Sequence, residues 1–170
     1  MQERVDIVDT DQNTLYSVTK QEAHEKGLLH KTVISEVIGS DGKWLLVKQA
    51  SDRQDAGQLV SPVGGHVSSG ETNDYALKRE ALEELGIKDF TYNLVGSVIF
   101  NRNVIGRQEN HYFVLYEINS DESPVINHES ESFEHFSVSE LKLKLKNEPQ
   151  TFGDAFHFII KTFYSNFLEE

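Results

Sequence analysis

The stretch Gly65-His66-Val67-Ser68-Ser69-Gly70-Glu71, followed by seven residues and then Arg79-Glu80-Ala81-Leu82-Glu83-Glu84-Leu85-Gly86-Ile87, carries the most information in this 170-residue chain. A glycine-rich loop leads into a run that reads as a helix from about Thr72 to Leu85, with Gly86 as its stop. On a helix of 3.6 residues per turn, Glu80, Glu83 and Glu84 stand at i, i+3 and i+4, so their carboxylates crowd one face. Each like-charged pair costs on the order of 0.2–0.5 kcal/mol on an exposed helix. A hard cation turns that cost into binding, and magnesium takes oxygen ligands while bridging readily to phosphates. Glycines in the loop allow close backbone approach, and the helix N-terminus adds unpaired N–H donors. Glu71, at the junction of loop and helix, is placed to meet Arg79 or the metals. For Glu83-Glu84 alone, a solvated acidic face is the simpler account.

The whole constellation resembles the signature box of the Nudix hydrolase family, Gly-x5-Glu-x7-Arg-Glu-U-x-Glu-Glu-x-Gly-U, with U a bulky aliphatic. All seven fixed positions agree, and Ala81 is smaller than usual at the first U. With common residues at roughly 5–10% each, such agreement at one start point has a chance probability on the order of one in 10⁸. The resemblance implies an α/β fold, a mixed β-sheet sandwiched between helices (α/β/α), formed as one domain over residues 1–170 with the box at 65–87. It implies Mg²⁺ or Mn²⁺ held by Glu80, Glu83, Glu84 and the carbonyl of Gly65, with Arg79 orienting carboxylates. The catalytic set is then Glu83, Glu84, Glu80 and Arg79, one box or loop glutamate activating water that attacks phosphorus. The substrate implied is a nucleoside diphosphate linked to a further group, or a related small-molecule diphosphate.

A narrower resemblance, over residues 4–145, is to the isopentenyl diphosphate isomerase branch. It rests on Val5-Asp6-Ile7-Val8-Asp9, on Glu22-Ala23-His24-Glu25-Lys26-Gly27-Leu28-Leu29-His30, and on Gly64-Gly65-His66-Val67. That branch carries a second metal site, which implies His24, His30 and His66, with Glu109 and His111 nearby, as ligands for manganese or zinc. An ordinary structural role for His30 and His111, which flank strands, stays open. Isomerases of this kind carry a catalytic cysteine just before the Gly-His pair; Gly64 stands there, and the chain has no cysteine. Hydrolysis is therefore the leading expectation. Isomerase-like activity is disfavoured, and a non-catalytic ligand sensor on the same fold is the rival class.

The rest of the chain bounds these readings. A formal net charge of −12 argues against nucleic-acid partners and requires either local basic residues or bound cations to offset an anionic substrate. Arg53, Arg102 and Arg107, in predicted loops, are candidates to grip phosphate. The acidic run His128 to Glu134 offers Glu131 or Glu134 as a further ligand or base, or a solvated loop. No stretch reads as a signal peptide or membrane span, so a cytoplasmic protein with no membrane partner is expected. Pairing as a homodimer follows from the resemblance alone.

Coarse patterning predicts a strand at Arg4 to Val8, a short helix from Lys20 to Lys26 capped by Thr19, and strands at Thr32 to Ile38 and Trp44 to Lys48 joined by an Asp41-Gly42 turn. Residues 49–70 read as one long polar loop. Strands follow at Phe90 to Phe100, His111 to Ile118 and Phe133 to Phe136, then a helix start at Ser137-Val138-Ser139-Glu140. A last helix spans Thr151 to Leu168, whose stripe of Ala155, Phe156, Ile159, Ile160, Phe163 and Phe167 is read as core. Substrate choice is assigned to loops 49–62, 101–110 and 119–132.

Overall fold

The computed structural model describes residues 1–169. Nine strands form one mixed sheet: β1 Arg4–Val8, β2 Thr14–Thr19, β3 His30–Ile38, β4 Trp44–Gln49, β5 Leu59–Val60, β6 Val63–His66, β7 Thr91–Val104, β8 Arg107–Asn119 and β9 Ser130–Phe136. The helices are α1 Lys20–Lys26, α2 Asn73–Leu85, α3 Val138–Asn147 and α4 Asp154–Phe163. β3 is the hub. It runs parallel to β8 over its whole length and antiparallel to β6 from Thr32 to Ser35, and it touches β1 at His30 and β4 at Val37 and Ile38.

Alternation along β3 builds the layers, because successive side chains point to opposite faces. Val33 and Val37 join Ala76, Leu77, Ala81 and Leu85 of α2, while Ile34 meets Ile159 of α4 through Phe113 and Leu115 of β8. Helices thus cover both faces, the expected α/β/α arrangement. A further cluster packs Trp44 and Leu46 against Leu141 and Leu145 of α3 and Phe156 and Ile160 of α4.

Local chemistry sets the helix ends. The Thr19 hydroxyl accepts from the Glu22 N–H, the Thr72 hydroxyl from the Tyr75 N–H, and Ser137 and Glu140 form the reciprocal capping box. Gly27 and Gly86 end α1 and α2 in the left-handed conformation.

Several expectations are corrected. The segment 49–70 is not one loop: Leu59–Val60 and Val63–His66 are strands, their pairing supplied by β4 and β3 despite two glycines that weaken any local signal. Thr14–Thr19, which the sequence patterning assigns to no element, is an edge strand against β1. Residues 101–110 are mostly strand, because the β7–β8 hairpin pairs out to Val104 and Arg107 around a turn at Ile105 and Gly106. Arg102 and Arg107 therefore sit on strands rather than loops. The terminal helix is broken: α4 starts after Gly153 and stops before Tyr164, with 3₁₀ turns at Pro149–Thr151 and Ser165–Leu168. Phe156, Ile159, Ile160 and Phe167 of its stripe are buried, as read, but Ala155 and Phe156 also wall a cavity.

Candidate active site and histidine cluster

A cavity of about 560 Å³ opens between the box and the α4 side of the sheet, within the size range of small-molecule sites. Gly64, Gly65, His66, Arg79, Glu80, Glu83 and Glu84 border it, together with Arg53, Arg102, Arg107, Glu109 and His111. A Cβ on Gly65 would lie 2.1 Å from the Glu80 carboxyl carbon, so the absence of a side chain at Gly65 is what leaves room for that carboxylate. At Gly64 an added Cβ would meet only the Val33 carbonyl, at 3.8 Å.

Arg79 is the organiser. Its Nε and Nη2 donate to the two oxygens of Glu71, at 2.7 and 2.9 Å, Nη1 donates to Glu80 at 2.6 Å, and Nη2 also reaches the His66 carbonyl at 3.0 Å. One guanidinium thereby locks β6, the loop and α2 together, using the fork geometry that a lysine lacks. Burial pushes the Glu71 carboxyl up, but the bonds from Arg79 and Ser68 outweigh it and hold the group below the usual range. Glu80 and Glu84 go the other way. Burial is the main cause for both, raising Glu80 to about 7 and Glu84 well above the usual carboxylate value. Glu84 accepts the Gly64 N–H at 2.9 Å. Glu83 is the outlying member of the trio, its side chain 56% exposed and 3.6 Å from Arg79.

The other arginines do not stand free. Arg102 forms a two-pronged pair with Asp55 at 3.0 and 3.3 Å, Arg107 meets Glu109 at 3.2 Å, and Arg53 meets Glu129 at 3.2 Å. Glu129 lines the cavity, whereas Glu131, a candidate from the sequence, pairs with Lys48, and Glu134 lies on β9 away from the cavity lining. No sequence signal distinguishes Glu129 from its acidic neighbours; only the path of the chain into β9 selects it.

His24 of α1, His30 of β3, His66 of β6 and His111 of β8 converge beside the box. All six ring-centroid separations fall between 4.8 and 5.5 Å, a near-equidistance that places the rings at the corners of a tetrahedron. One ligand atom from each ring lies within 4.8 Å of the others. The Nε2 of His24 is 3.3 Å from both His66 Nε2 and His111 Nε2. That spacing equals the edge of a tetrahedron whose centre is about 2.0–2.1 Å from each nitrogen, the zinc–imidazole distance. A single imidazole nitrogen either donates or accepts, so hydrogen bonding alone does not satisfy both contacts. The buried His30 Nε2 has no partner, while its Nδ1 is held by the Leu28 carbonyl at 2.7 Å. Burial is the first cause that lowers all four imidazoles, His24 to about 4, which keeps them neutral and ready as ligands at pH 7. Glu109 stands beside the cluster: enclosed by Arg102 and Arg107, it contacts His111 Nδ1 at 3.4 Å, a position from which it orients that ring.

A mixed sheet between helices, with a cavity walled by a loop–helix–loop of fixed glycines and carboxylates, defines the class of protein. The NUDIX domain model matches residues 28–156, and the chain belongs to the Nudix family. The domain match and the Nudix hydrolases among its relatives support a hydrolase acting on phosphorus-containing anhydrides. Among its relatives, an isopentenyl-diphosphate Delta-isomerase of Photorhabdus laumondii is 28% identical over all of this chain and 97% of that protein. An uncharacterised Nudix hydrolase of Nostoc sp. is 30% identical over 96% of this chain and 97% of its own length. A crystal structure from Deinococcus radiodurans shares the fold with a TM-score of 0.73 at 20% identity, covering 94% of this chain and 98% of that one. No helix among the described residues is long and apolar enough to cross a membrane.

Proposed function

We propose that the protein hydrolyses a diphosphate linkage in a small molecule, a nucleoside diphosphate joined to a further group or a related compound, in a reaction that depends on Mg²⁺ or Mn²⁺. The charge pattern of the cavity carries this reading. Seven acidic and five basic side chains line it, and each base is already paired: Lys20 with Glu3, Arg53 with Glu129, Arg79 with Glu71 and Glu80, Arg102 with Asp55, and Arg107 with Glu109. An anionic diphosphate finds no uncommitted cation in such a wall, so bound metal is needed for it to enter.

Glu80 and Glu84 suit that role, being carboxylates held in a desolvated wall that favours their neutral forms until a cation compensates them. The Gly65 carbonyl and the more exposed Glu83 complete the set. A divalent cation held by these residues would supply neutralisation of phosphate charge and a more acidic bound water. Arg79 holds Glu80 and Glu71 in place, and Glu83, with its exposed carboxylate, is the member freest to take a proton from water. The four histidines would hold a second, borderline-soft cation such as zinc or manganese, for which neutral imidazoles are fitting donors.

The isomerases among the relatives favour a second reading, but Gly64 provides no thiol and the chain has no cysteine. The deciding experiment is phosphate or nucleotide release from a panel of diphosphate compounds with Mg²⁺ and then Mn²⁺, wild type beside Glu84→Gln. Metal-dependent turnover lost in the variant is expected. Tight binding of one compound with no turnover would identify a sensor instead.

A further inference from the structure

Residues 50–58 join β4 to β5 and contribute Arg53, Gln54 and Asp55 to the cavity wall. Of residues 51–58 only Asp55 is buried, at 7% exposure. The loop thus exposes Ala56 and buries a charge, the reverse of the usual order. Both oxygens of that carboxylate are taken by Arg102 of β7, whose Nη1 and Nη2 donate at 3.0 and 3.3 Å. The pair sits among unspent donors. Arg102 Nε, 3.6 Å from Glu109, and Arg107 Nε are both buried with no hydrogen-bond partner. Glu109 already accepts from Arg107 Nη2 at 3.2 Å. The Asp55 carboxylate also lies against Gly153, where α4 opens without a side-chain cap; a Cβ there would stand 3.0 Å from the carboxyl carbon. A helix start favours an anion beside it.

We propose that the Asp55 carboxylate stands in for a phosphate of the substrate: on binding, a phosphate group takes over the Arg102 fork, and Asp55 swings out to water with its loop. This rests on the diphosphate reading above. A phosphate fits the guanidinium fork as a carboxylate does, and its further oxygen and charge serve donors that Asp55 leaves unmet. The exchange keeps Arg102 paired throughout, so no buried cation is stranded. Asp55 gains water in return, because its neighbours Ser51, Asp52, Ala56 and Gly57 already face solvent. A neutral ligand offers Arg102 nothing in place of the carboxylate and leaves the loop where it is. Arg102 is then a binding residue, and Asp55 makes its use conditional on an anion.

The probe is methylenediphosphonate, a diphosphate analogue that is not hydrolysed, titrated with Mg²⁺ into wild type, Asp55→Asn, Arg102→Gln and the double variant. Asp55→Asn keeps the size of the side chain but removes the competing charge, and should bind about 10-fold more tightly than wild type. Arg102→Gln should bind about 10-fold more weakly, and adding Asp55→Asn to it should restore nothing. In wild type, hydrogen exchange at residues 50–58 should rise about 5-fold or more when the analogue binds, the opposite of the protection a ligand usually gives. If Asp55→Asn does not fold, that exchange measurement decides alone. A gain from Asp55→Asn that is equal with and without Arg102 overturns the proposal, because it reports general charge. So does unchanged or slower exchange at residues 50–58, which makes the pair a structural one. Tight, Arg102-dependent binding in a protein that turns over no diphosphate keeps the exchange and removes the hydrolase reading.

Discussion

Gly65 and Glu80 are packed so closely that no side chain fits between them: a Cβ on Gly65 would stand 2.1 Å from the Glu80 carboxyl carbon and within 2.6 Å of both its oxygens. The obstructing atoms are the end of a flexible chain, so an added methyl displaces the carboxylate more than the backbone. Gly65→Ala should therefore leave the fold intact while weakening Mn²⁺ binding and turnover roughly 10–100-fold. Gly64→Ala, with 3.8 Å to its nearest neighbour, should retain Mn²⁺ affinity. Mn²⁺ titration beside thermal melts checks both, and equal metal affinity in the two variants would contradict the argument.

Glu84→Gln separates function from folding. Burial disfavours its ionised form, and the amide keeps an oxygen to accept the Gly64 N–H. Without metal the variant should melt at or above the wild-type temperature. With metal its turnover should be down at least about 100-fold.

Arg79→Lys removes the two-pronged bond to Glu71, a carboxylate 9% exposed. A lysine reaches one oxygen at best, so a loss of about 1–3 kcal/mol is expected in urea denaturation, together with lower turnover. Glu71→Gln should show a loss of the same order. If either variant is indistinguishable from wild type, Arg79 is not the organiser described.

Chelator-stripped protein should gain stability when zinc or manganese is restored to the four histidines. At 100 times the dissociation constant the gain is about 2.7 kcal/mol, or about 5–10 °C in melting temperature. His30→Ala should abolish the shift, and elemental analysis should show one fewer metal per chain. A shift that survives in His30→Ala would place the metal elsewhere.

Glu36, fully buried on β3, predicts a pH effect on stability. Burial raises its folded value to about 8, above the unfolded one, so its contribution is fully present below about 4.5 and is lost as pH rises toward 8. Other buried groups titrate in the same window, which makes the difference between wild type and Glu36→Gln the quantity to read. Chemical denaturation at pH 5 and pH 8.5 should show the variant gaining on wild type by a few kcal/mol at the higher pH.

The box helix and its Gly86 stop were legible because they follow from chemistry within a few turns of chain, although the role of Thr72 as its cap was not read. The same holds for the Asp41-Gly42 turn and the capping box at Ser137 and Glu140. Strands β5 and β6 were not, since Val63-Gly64-Gly65-His66 has almost no strand character until β3 supplies the hydrogen bonds. Arg53, Arg102 and Arg107 could be nominated by residue type, but their neutralisation by Glu129, Asp55 and Glu109 comes from pairings that no local pattern encodes.

By itself, then, the sequence determined the family and the identity of the acidic helix face, because the spacing of Glu80, Glu83 and Glu84 is a property of one helix. Only the tertiary structure decided that Glu80 and Glu84 are desolvated while Glu83 is exposed, that Glu129 rather than Glu131 reaches the cavity, and that Asp55 meets Arg102. It also decided that His24 and His111, 87 residues apart, bring their Nε2 atoms to 3.3 Å. The physical reason is that burial and long-range contact are set by how the sheet packs against its helices, and the residues concerned carry no record of that in their own neighbourhood.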